Sequence, residues 1–135
     1  MDHHELYALS LKARENAYCP YSRFATGAAL VGESGRIYLG CNVENSAFGP
    51  TNCAERTAVF KAVSEGERRF TAIAVCGAPE GKVPDKLCAP CGICRQVLSE
   101  FVDDDFLVIM YDEELGVKAY PFREILPFRF DLNEY

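Results

Sequence analysis

At 135 residues, the chain can bury roughly two thirds of its unfolded surface as one domain that needs no cross-links. Its net charge of -6 argues against a nucleic-acid polymer as partner, because such binding depends on clustered lysine and arginine. No apolar run approaches the ~20 residues that a membrane span requires, so no membrane partner is expected. We therefore expect residues 1–135 to form a single domain with neither kind of partner.

The cysteine count and the N-terminus indicate a compartment. Seven cysteines are an odd number, which does not favour a disulfide framework. The first residues, MDHHELYALS, contain no basic region that leads into an apolar stretch, as a secretory signal would. We expect a reduced, cytoplasmic protein whose clustered cysteines bind metal or react.

The apolar pattern predicts alternating helices and strands without a repeat or a linker. In chain order we predict a helix over residues 4–18, a hairpin of TGAALVGE and RIYLGCN, a polar loop ENSAFGPTN, a helix from about Cys53 to Glu65, a strand FTAIAVCG, a loop APEGKVPDKLCAP, a helix from about Gly92 to Phe101, the strands FLVIMYD and GVKAY, and a short helix FREILPF that Pro127 ends. Apolar strands without alternation need both faces covered. The predicted fold is therefore a three-layer α/β domain, a mixed β-sheet with helices on both faces.

Two stretches place cysteine where a predicted helix begins. They are TNCAERTAVFKAVSEG at residues 51–66 and CAPCGICRQVLSEF at residues 88–101. Cys53 opens the first helix, and Cys91 and Cys94 form a C-x-x-C pair on the second. The positive end of a helix dipole favours the ionised thiol that binds metal. Three such ligands on one zinc ion leave a fourth position for water, as in a catalytic site.

The residues around Cys53 suggest how such a site would work. The only histidines, His3 and His4, lie in a terminal stretch that we expect to be frayed and solvated, so the internal ligands would be thiolates. Glu55 is long enough to reach the open metal position, where a carboxylate transfers protons. Arg56 is a candidate to hydrogen-bond the ligand sulfurs and to withdraw the excess charge of three thiolates. The alternative for Arg56 is a surface ion pair.

C-A-E followed downstream by P-C-G-x-C resembles the signature of zinc nucleobase deaminases, with cysteine in place of the first histidine. Over about residues 5 to 130, the chain also resembles the small homotetrameric cytidine deaminases of nucleoside salvage. The segments that carry this resemblance are CPYSRFATGAAL, GCNVENSAFG, CAERTAVFKAVSEG, PCGICRQVLSEF and ILPF. The resemblance implies one zinc ion per chain on Cys53, Cys91 and Cys94. It also implies hydrolysis of cytidine and deoxycytidine to the uridines and ammonia, with Glu55 as the catalytic proton carrier.

The resemblance further implies residues that bind the substrate. Asn42 and Glu44 lie two apart at a strand end, so both point to one face, and the family uses these positions to bind the ribose. Phe24 is similar to the aromatic residue that packs on the pyrimidine. The backbone of Ala54 and the side chain of Glu55 would read the amide edge of the base. Without the resemblance, Asn42 and Glu44 would be interpreted as a solvated strand end and Phe24 as core.

Two further aromatic residues concern the assembly that the resemblance implies. Phe130 in ILPFRFDL looks like the residue that stacks on a base bound in a neighbouring subunit. Phe48 stands where other members of the family often carry tyrosine at the same interface. These matches imply a homotetramer whose sites bind a free nucleoside. The alternative is that both residues close a dimer or a core.

Other interpretations of the cysteines stay open. Cys88 adds a third thiol at the same spacing, so Cys53, Cys88, Cys91 and Cys94 would close a four-cysteine structural site in a non-catalytic, zinc-stapled binding module. A thiol redox protein is less consistent with the sequence, because PCGIC follows no thioredoxin-like opening strand. Within the same fold, a deaminase of another cytosine nucleoside, such as blasticidin S, is the alternative. NVEN retains Glu44, the ribose-binding position, and this favours cytidine.

Overall fold

The computed structural model describes residues 2–135. Its elements, in chain order, are α1 (His3–Arg14), β1 (Phe24–Gly32), β2 (Ile37–Cys41), α2 (Ala54–Ser64), β3 (Phe70–Pro79), α3 (Gly92–Ser99), β4 (Leu107–Asp112), β5 (Gly116–Pro121), α4 (Phe122–Ile125) and a 3-10 turn, Leu132–Glu134. Every predicted helix and strand is present, in the predicted order.

The first helix differs from its prediction at both ends. It begins at His3, so His3 and His4 lie in its first turn, and both are exposed as expected. It ends at Arg14, four residues before the predicted end. The amide of Tyr18 donates to the carbonyl of Asn42 at 2.9 Å, within a parallel bridge between Tyr18 and Val43. This tertiary pairing holds the chain extended where the apolar spacing favoured helix.

The sheet has five strands in the order β2-β1-β3-β4-β5. The pairs β1–β2, β1–β3 and β4–β5 are antiparallel, whereas β3 and β4 are parallel. A parallel pair needs a crossover connection, and the segment that contains α3 supplies it. The prediction of a mixed sheet is confirmed.

Helices cover both faces of this sheet. Ala28 and Ala29 are neighbours on β1, so their side chains point to opposite faces, and they belong to two separate cores. The core of Ala29 contains Leu6 of α1. The core of Ala28 contains Val59 of α2 and Leu98 of α3. The three-layer α/β arrangement follows from this division and agrees with the prediction.

One glycine sets the distance between α2 and the sheet. A Cβ atom on Gly40 of β2 would meet the carbonyl of Ala54 and would lie 2.6 Å from the amide nitrogen of Ala58. Only glycine allows the first turns of α2 to approach the strand so closely. The N-terminal end of α2 therefore lies against the end of β2, where Asn42 follows.

The remaining expectations concern membranes and disulfides. Across residues 2–135, no helix is both long and apolar enough to cross a membrane. All seven cysteines are free thiols.

Candidate active site

Three cysteine sulfurs meet between the first turns of α2 and α3. Cys53 and Cys91 are the N-cap residues of these helices, both with extended backbone, and Cys94 lies in the first turn of α3. The three sulfurs lie within 4.8 Å of one another, and those of Cys53 and Cys91 are 3.8 Å apart. Neither cap cysteine makes a side-chain capping bond within the described chain. Their sulfurs are therefore available to bind a metal ion.

This group fits zinc. Two sulfurs that each lie about 2.3 Å from one tetrahedral ion are about 3.8 Å apart, which matches the distance between Cys53 and Cys91. Soft thiolates are also the ligands that zinc accepts in such geometry. Within residues 2–135 the group contains neither His3 nor His4, nor the thiol of Cys88. The structure thus brings together the three predicted ligands and not the four-cysteine alternative.

Arg56 contacts this group. One terminal nitrogen of its guanidinium donates to the sulfur of Cys53 at 3.3 Å. Hydrogen bonding from Cys94, and then from Arg56, outweighs burial and lowers the pKa of the Cys53 thiol to about 5. The hydrogen bond between Cys94 and Cys53 raises the pKa of the Cys94 thiol. Arg56 therefore lies where it can stabilise negative charge on the sulfur of Cys53.

Glu55 lies beside the sulfurs and is almost fully buried, with 4% of its surface exposed. Burial, reinforced by the negative charge of Cys53, raises the pKa of the Glu55 carboxyl to about 7. A carboxyl whose pKa lies near neutrality both accepts and releases a proton under ordinary conditions.

A cavity of about 330 Å³ joins Cys53 and Cys91 to the strand ends, a size within the range of small-molecule sites. The residues that line it are Ser22, Phe24, Thr26, Asn42, Glu44, Thr51, Asn52, Cys53, Glu55, Cys88, Ala89 and Cys91. Six of the residues that the sequence analysis proposed for the site therefore face one space: Phe24, Asn42, Glu44, Cys53, Glu55 and Cys91.

Asn42 is held by backbone bonds to β1. The register pairs Gly27 with Cys41, which places Asn42 opposite Thr26. Its Oδ1 accepts from the amide of Thr26 at 2.9 Å, and its Nδ2 donates to the carbonyl of Phe24 at 2.7 Å. One N–H and one lone pair of the amide remain for a ligand. Asn42 therefore fixes the strand that carries Phe24 and still presents polar atoms to the cavity.

Glu44 is an ionised carboxylate fixed by the loop before β1. It accepts a hydrogen bond from the hydroxyl of Ser22, and bonds from the backbone amides of Tyr21 and Ser22 at 3.0 and 3.1 Å. The bond from the Ser22 hydroxyl is the largest of the effects that lower the pKa of the Glu44 carboxyl. A fixed carboxylate accepts hydrogen bonds from hydroxyl groups and repels an anionic group.

The other proposed residues lie outside this cavity. Ala54 is completely buried in the first turn of α2. Phe48 is 68% exposed, and its ring meets that of Tyr21 edge to face at 6.0 Å. Phe130 is 56% exposed and stacks on Tyr135 at 6.1 Å. Within one chain, neither Phe48 nor Phe130 reaches the space that the sulfurs share with Glu55.

Sequence reasoning did not place two residues of the cavity wall, Ser22 and Cys88. Ser22 holds Glu44, and the sequence analysis assigned it no role. Cys88 forms part of the cavity wall: a Cβ atom on Gly77 would lie 2.6 Å from its sulfur and 2.9 Å from the ring of Phe24. Burial raises the pKa of the Cys88 thiol to about 11, so it stays protonated. Placing Ser22 and Cys88 in the cavity wall would have required knowledge of how the strands pair.

Comparisons with known proteins agree with this geometry. A family model described as the cytidine and deoxycytidylate deaminase zinc-binding region matches residues 1–110. The cytidine deaminase of Sporosarcina psychrophila is 50% identical over 134 residues, which cover 99% of this chain and 95% of the relative. That of Halalkalibacterium halodurans is 44% identical over 137 residues, with 99% and 100% covered. The solved structure of the cytidine deaminase from Burkholderia pseudomallei superposes with a TM-score of 0.85 at 43% identity, covering 96% of this chain and 100% of that one.

Proposed function

Since the chain belongs to the cytidine deaminase family, we propose that it hydrolyses cytidine and deoxycytidine to uridine and deoxyuridine with release of ammonia. The observation that carries this proposal is a group of three thiols, two of which, Cys53 and Cys91, line one cavity together with the buried Glu55, Asn42 and Glu44. A metal group without such a cavity would indicate a structural staple. A cavity without the thiols would indicate a binding module.

The chemistry divides between the metal and the protein. Zinc, when held by Cys53, Cys91 and Cys94, would supply a Lewis acid that makes a water molecule easier to deprotonate near neutral pH. Glu55 takes that proton and delivers it to N3 of the ring as C4 gains the water oxygen. It then takes the remaining proton from the oxygen added at C4 and passes it to the amino group, so that the C4–N bond breaks and water and cytidine become uridine and ammonia. Arg56 donates to the sulfur of Cys53 and so favours its ionised form.

The remaining residues orient the nucleoside. Phe24 is 39% exposed and lines the cavity, and an aromatic ring there can stack on a base. The carboxylate of Glu44 accepts hydrogen bonds from the ribose hydroxyls, while the free N–H of Asn42 donates to them and its free lone pair accepts from them. The backbone of Ala54, at the start of α2, reads the amide edge of the base. The charge on Glu44 favours a nucleoside over a nucleotide.

The functional unit of the proposal is a homotetramer in which neighbours complete each site. Support comes from Phe48 and Phe130, which expose most of their surface, and from Phe128, which is fully exposed. A groove between α2 and α3 also exposes Phe60 and Ile93. Exposed apolar surface of this kind is typical of a partner interface. We assign Phe48 and Phe130 to the cavity of another subunit.

The same proposal covers the extent and location of the protein. Residues 1–135 act as one catalytic domain, and the seven free thiols favour a reducing compartment such as the cytoplasm. The fixed carboxylate of Glu44 favours a ribose-bearing substrate over blasticidin S.

Ultraviolet spectroscopy of cytidine turnover tests the function. The zinc-loaded protein should convert cytidine to uridine, a chelator should abolish turnover, and added zinc should restore it. A zinc-loaded, folded protein that leaves cytidine and deoxycytidine unchanged would contradict the proposal.

A further inference from the structure

Both helices that carry the sulfurs begin without the usual side-chain cap. Serine, threonine, aspartate or asparagine normally fixes the first turn by accepting from a backbone amide. At Cys53 and Cys91 the cap position holds a thiol that makes no such bond in the described chain. Another group must therefore fix the backbone that aims each sulfur.

On α3 this group is Arg95. Its Nε donates to the carbonyl of Pro90 at 2.8 Å, and one terminal nitrogen donates to the carbonyl of Ile125 at 2.7 Å. Pro90 directly precedes Cys91, and Ile125 is the last residue of α4. The planar guanidinium thus joins the peptide before a sulfur ligand to a different helix, and its rigid fork fixes both distances.

On α2 the residue at the same helical position has a related role. Thr57, four residues after Cys53 as Arg95 is after Cys91, donates its hydroxyl to the carbonyl of Cys53 at 3.2 Å. Its hydroxyl oxygen accepts from Asn52 at 3.2 Å. In both helices the fourth residue after the cap secures the turn that holds the sulfur. Arg95 differs because it anchors that turn to another element.

We propose that Arg95 is a positioning residue for the metal centre. It holds Cys91 in place through Pro90, and it couples zinc retention to the docking of α4. The inference rests on the zinc ligands of the proposed function and not on the identity of the substrate. Groups that orient metal ligands typically change metal affinity by about 10- to 100-fold when they are removed.

The rate at which zinc leaves the protein measures this role. The zinc-loaded protein is mixed with an excess of a chelating dye, and metal release is followed by absorbance. Arg95→Ala should release zinc about tenfold faster or more. The zinc release rate of Arg95→Lys should lie between those of Arg95→Ala and the unchanged protein. The shorter lysine side chain cannot donate to both carbonyls at once. Arg95→Lys alone carries the test if the alanine variant does not fold.

Arg123→Ala is the matched control. Like Arg95→Ala, it removes one positive charge, but from the surface of α4, where Arg123 donates to Asp105 at 2.9 Å. Zinc release should stay unchanged in this variant. An equal acceleration in Arg123→Ala, or no acceleration in either Arg95 variant, would refute the positioning role.

Cobalt provides a readout that is independent of turnover. With cobalt in place of zinc, the thiolate-to-metal charge-transfer band should shift in Arg95→Ala and stay constant in Arg123→Ala. An unshifted band in Arg95→Ala would assign any faster release to general destabilisation. If the unchanged protein binds zinc but does not convert cytidine, the proposed function fails, while these measurements still decide the role of Arg95.

Discussion

Two glutamates face the same cavity with opposite surroundings. Glu55 is buried beside the sulfurs, and burial raises its carboxyl pKa to about 7. Glu44 accepts three hydrogen bonds from Tyr21 and Ser22, and these lower its carboxyl pKa. Different environments thus give two chemically identical groups different tasks. In the proposed reaction Glu55 transfers protons, and Glu44 stays charged and binds hydroxyl groups.

Glu55→Gln separates catalysis from metal binding. The amide keeps the size of the side chain but cannot transfer a proton, so turnover should fall by about 10²- to 10⁴-fold. Elemental analysis should still find one zinc ion per chain, because Glu55 is not part of the group of three cysteines that could hold the metal. Unchanged turnover in a folded, zinc-loaded variant would remove Glu55 from the mechanism.

Cys88→Ala tests which thiols bind the metal. Cys88 lies on the cavity wall, as Phe24 does, and outside the group of Cys53, Cys91 and Cys94. The variant should therefore keep one zinc ion per chain and most of its activity. Cys53→Ala is the comparison and should lose zinc. Zinc lost from Cys88→Ala but retained in Cys53→Ala would overturn the ligand assignment and favour a structural staple.

At the scale of the elements, the close contact between α2 and β2 places Cys53 and Glu55. Gly40→Ala would put a methyl group against the backbone of Ala54 and Ala58. Because backbone cannot yield as a side-chain end does, unfolding in urea should show a loss of about 1–3 kcal/mol or more. Zinc should also bind more weakly, since the first turn of α2 must move.

Gly49→Ala is the control for this substitution. A Cβ atom at Gly49 has no heavy atom within 4 Å in the described structure, so the added methyl group has free space. Stability and zinc binding should match those of the unchanged protein. Equal stability of Gly40→Ala and Gly49→Ala would show that the helix tolerates displacement from the strand.

Some features were predictable because they depend on neighbours in sequence. Cys91 and Cys94 lie on one helical turn by their spacing alone, and Glu55 follows Cys53 by two residues. Pairing between distant segments decides the others. The bridge between Tyr18 and Val43 ends α1 early, in place of the helix that the apolar spacing favoured.

The cavity wall depended on strand register. Asn42 appeared in the sequence as a ligand-binding residue, yet its side chain also bonds the backbone of Phe24 and Thr26. Those bonds exist because the hairpin register places Asn42 opposite Thr26. Cys88 reaches the wall because Gly77 has no side chain to displace it. No local pattern contains this information.

At the scale of the whole molecule, the C-terminal segment is fixed to α3 and still exposes its aromatic rings. Gln96 donates to the carbonyl of Phe130 at 3.2 Å, and Arg129 donates to that of Val102 at 2.9 Å. The backbone is therefore held, while the ring of Phe130 remains 56% exposed. A fixed backbone with exposed rings is the arrangement that a partner surface requires, since little entropy is lost on docking.

Phe130→Ala tests whether this ring belongs to the cavity of another subunit. It should raise the KM for cytidine, because the loss of stacking costs on the order of 1 kcal/mol. Cys91→Ala should lack zinc but keep Phe130. After subunit exchange, mixed assemblies contain cavities that combine intact sulfurs of one chain with Phe130 of another, so activity should exceed that of either variant alone. Light scattering that finds a fully active monomer at the assay concentration would exclude shared sites and would leave Phe130 as a surface residue of its own chain.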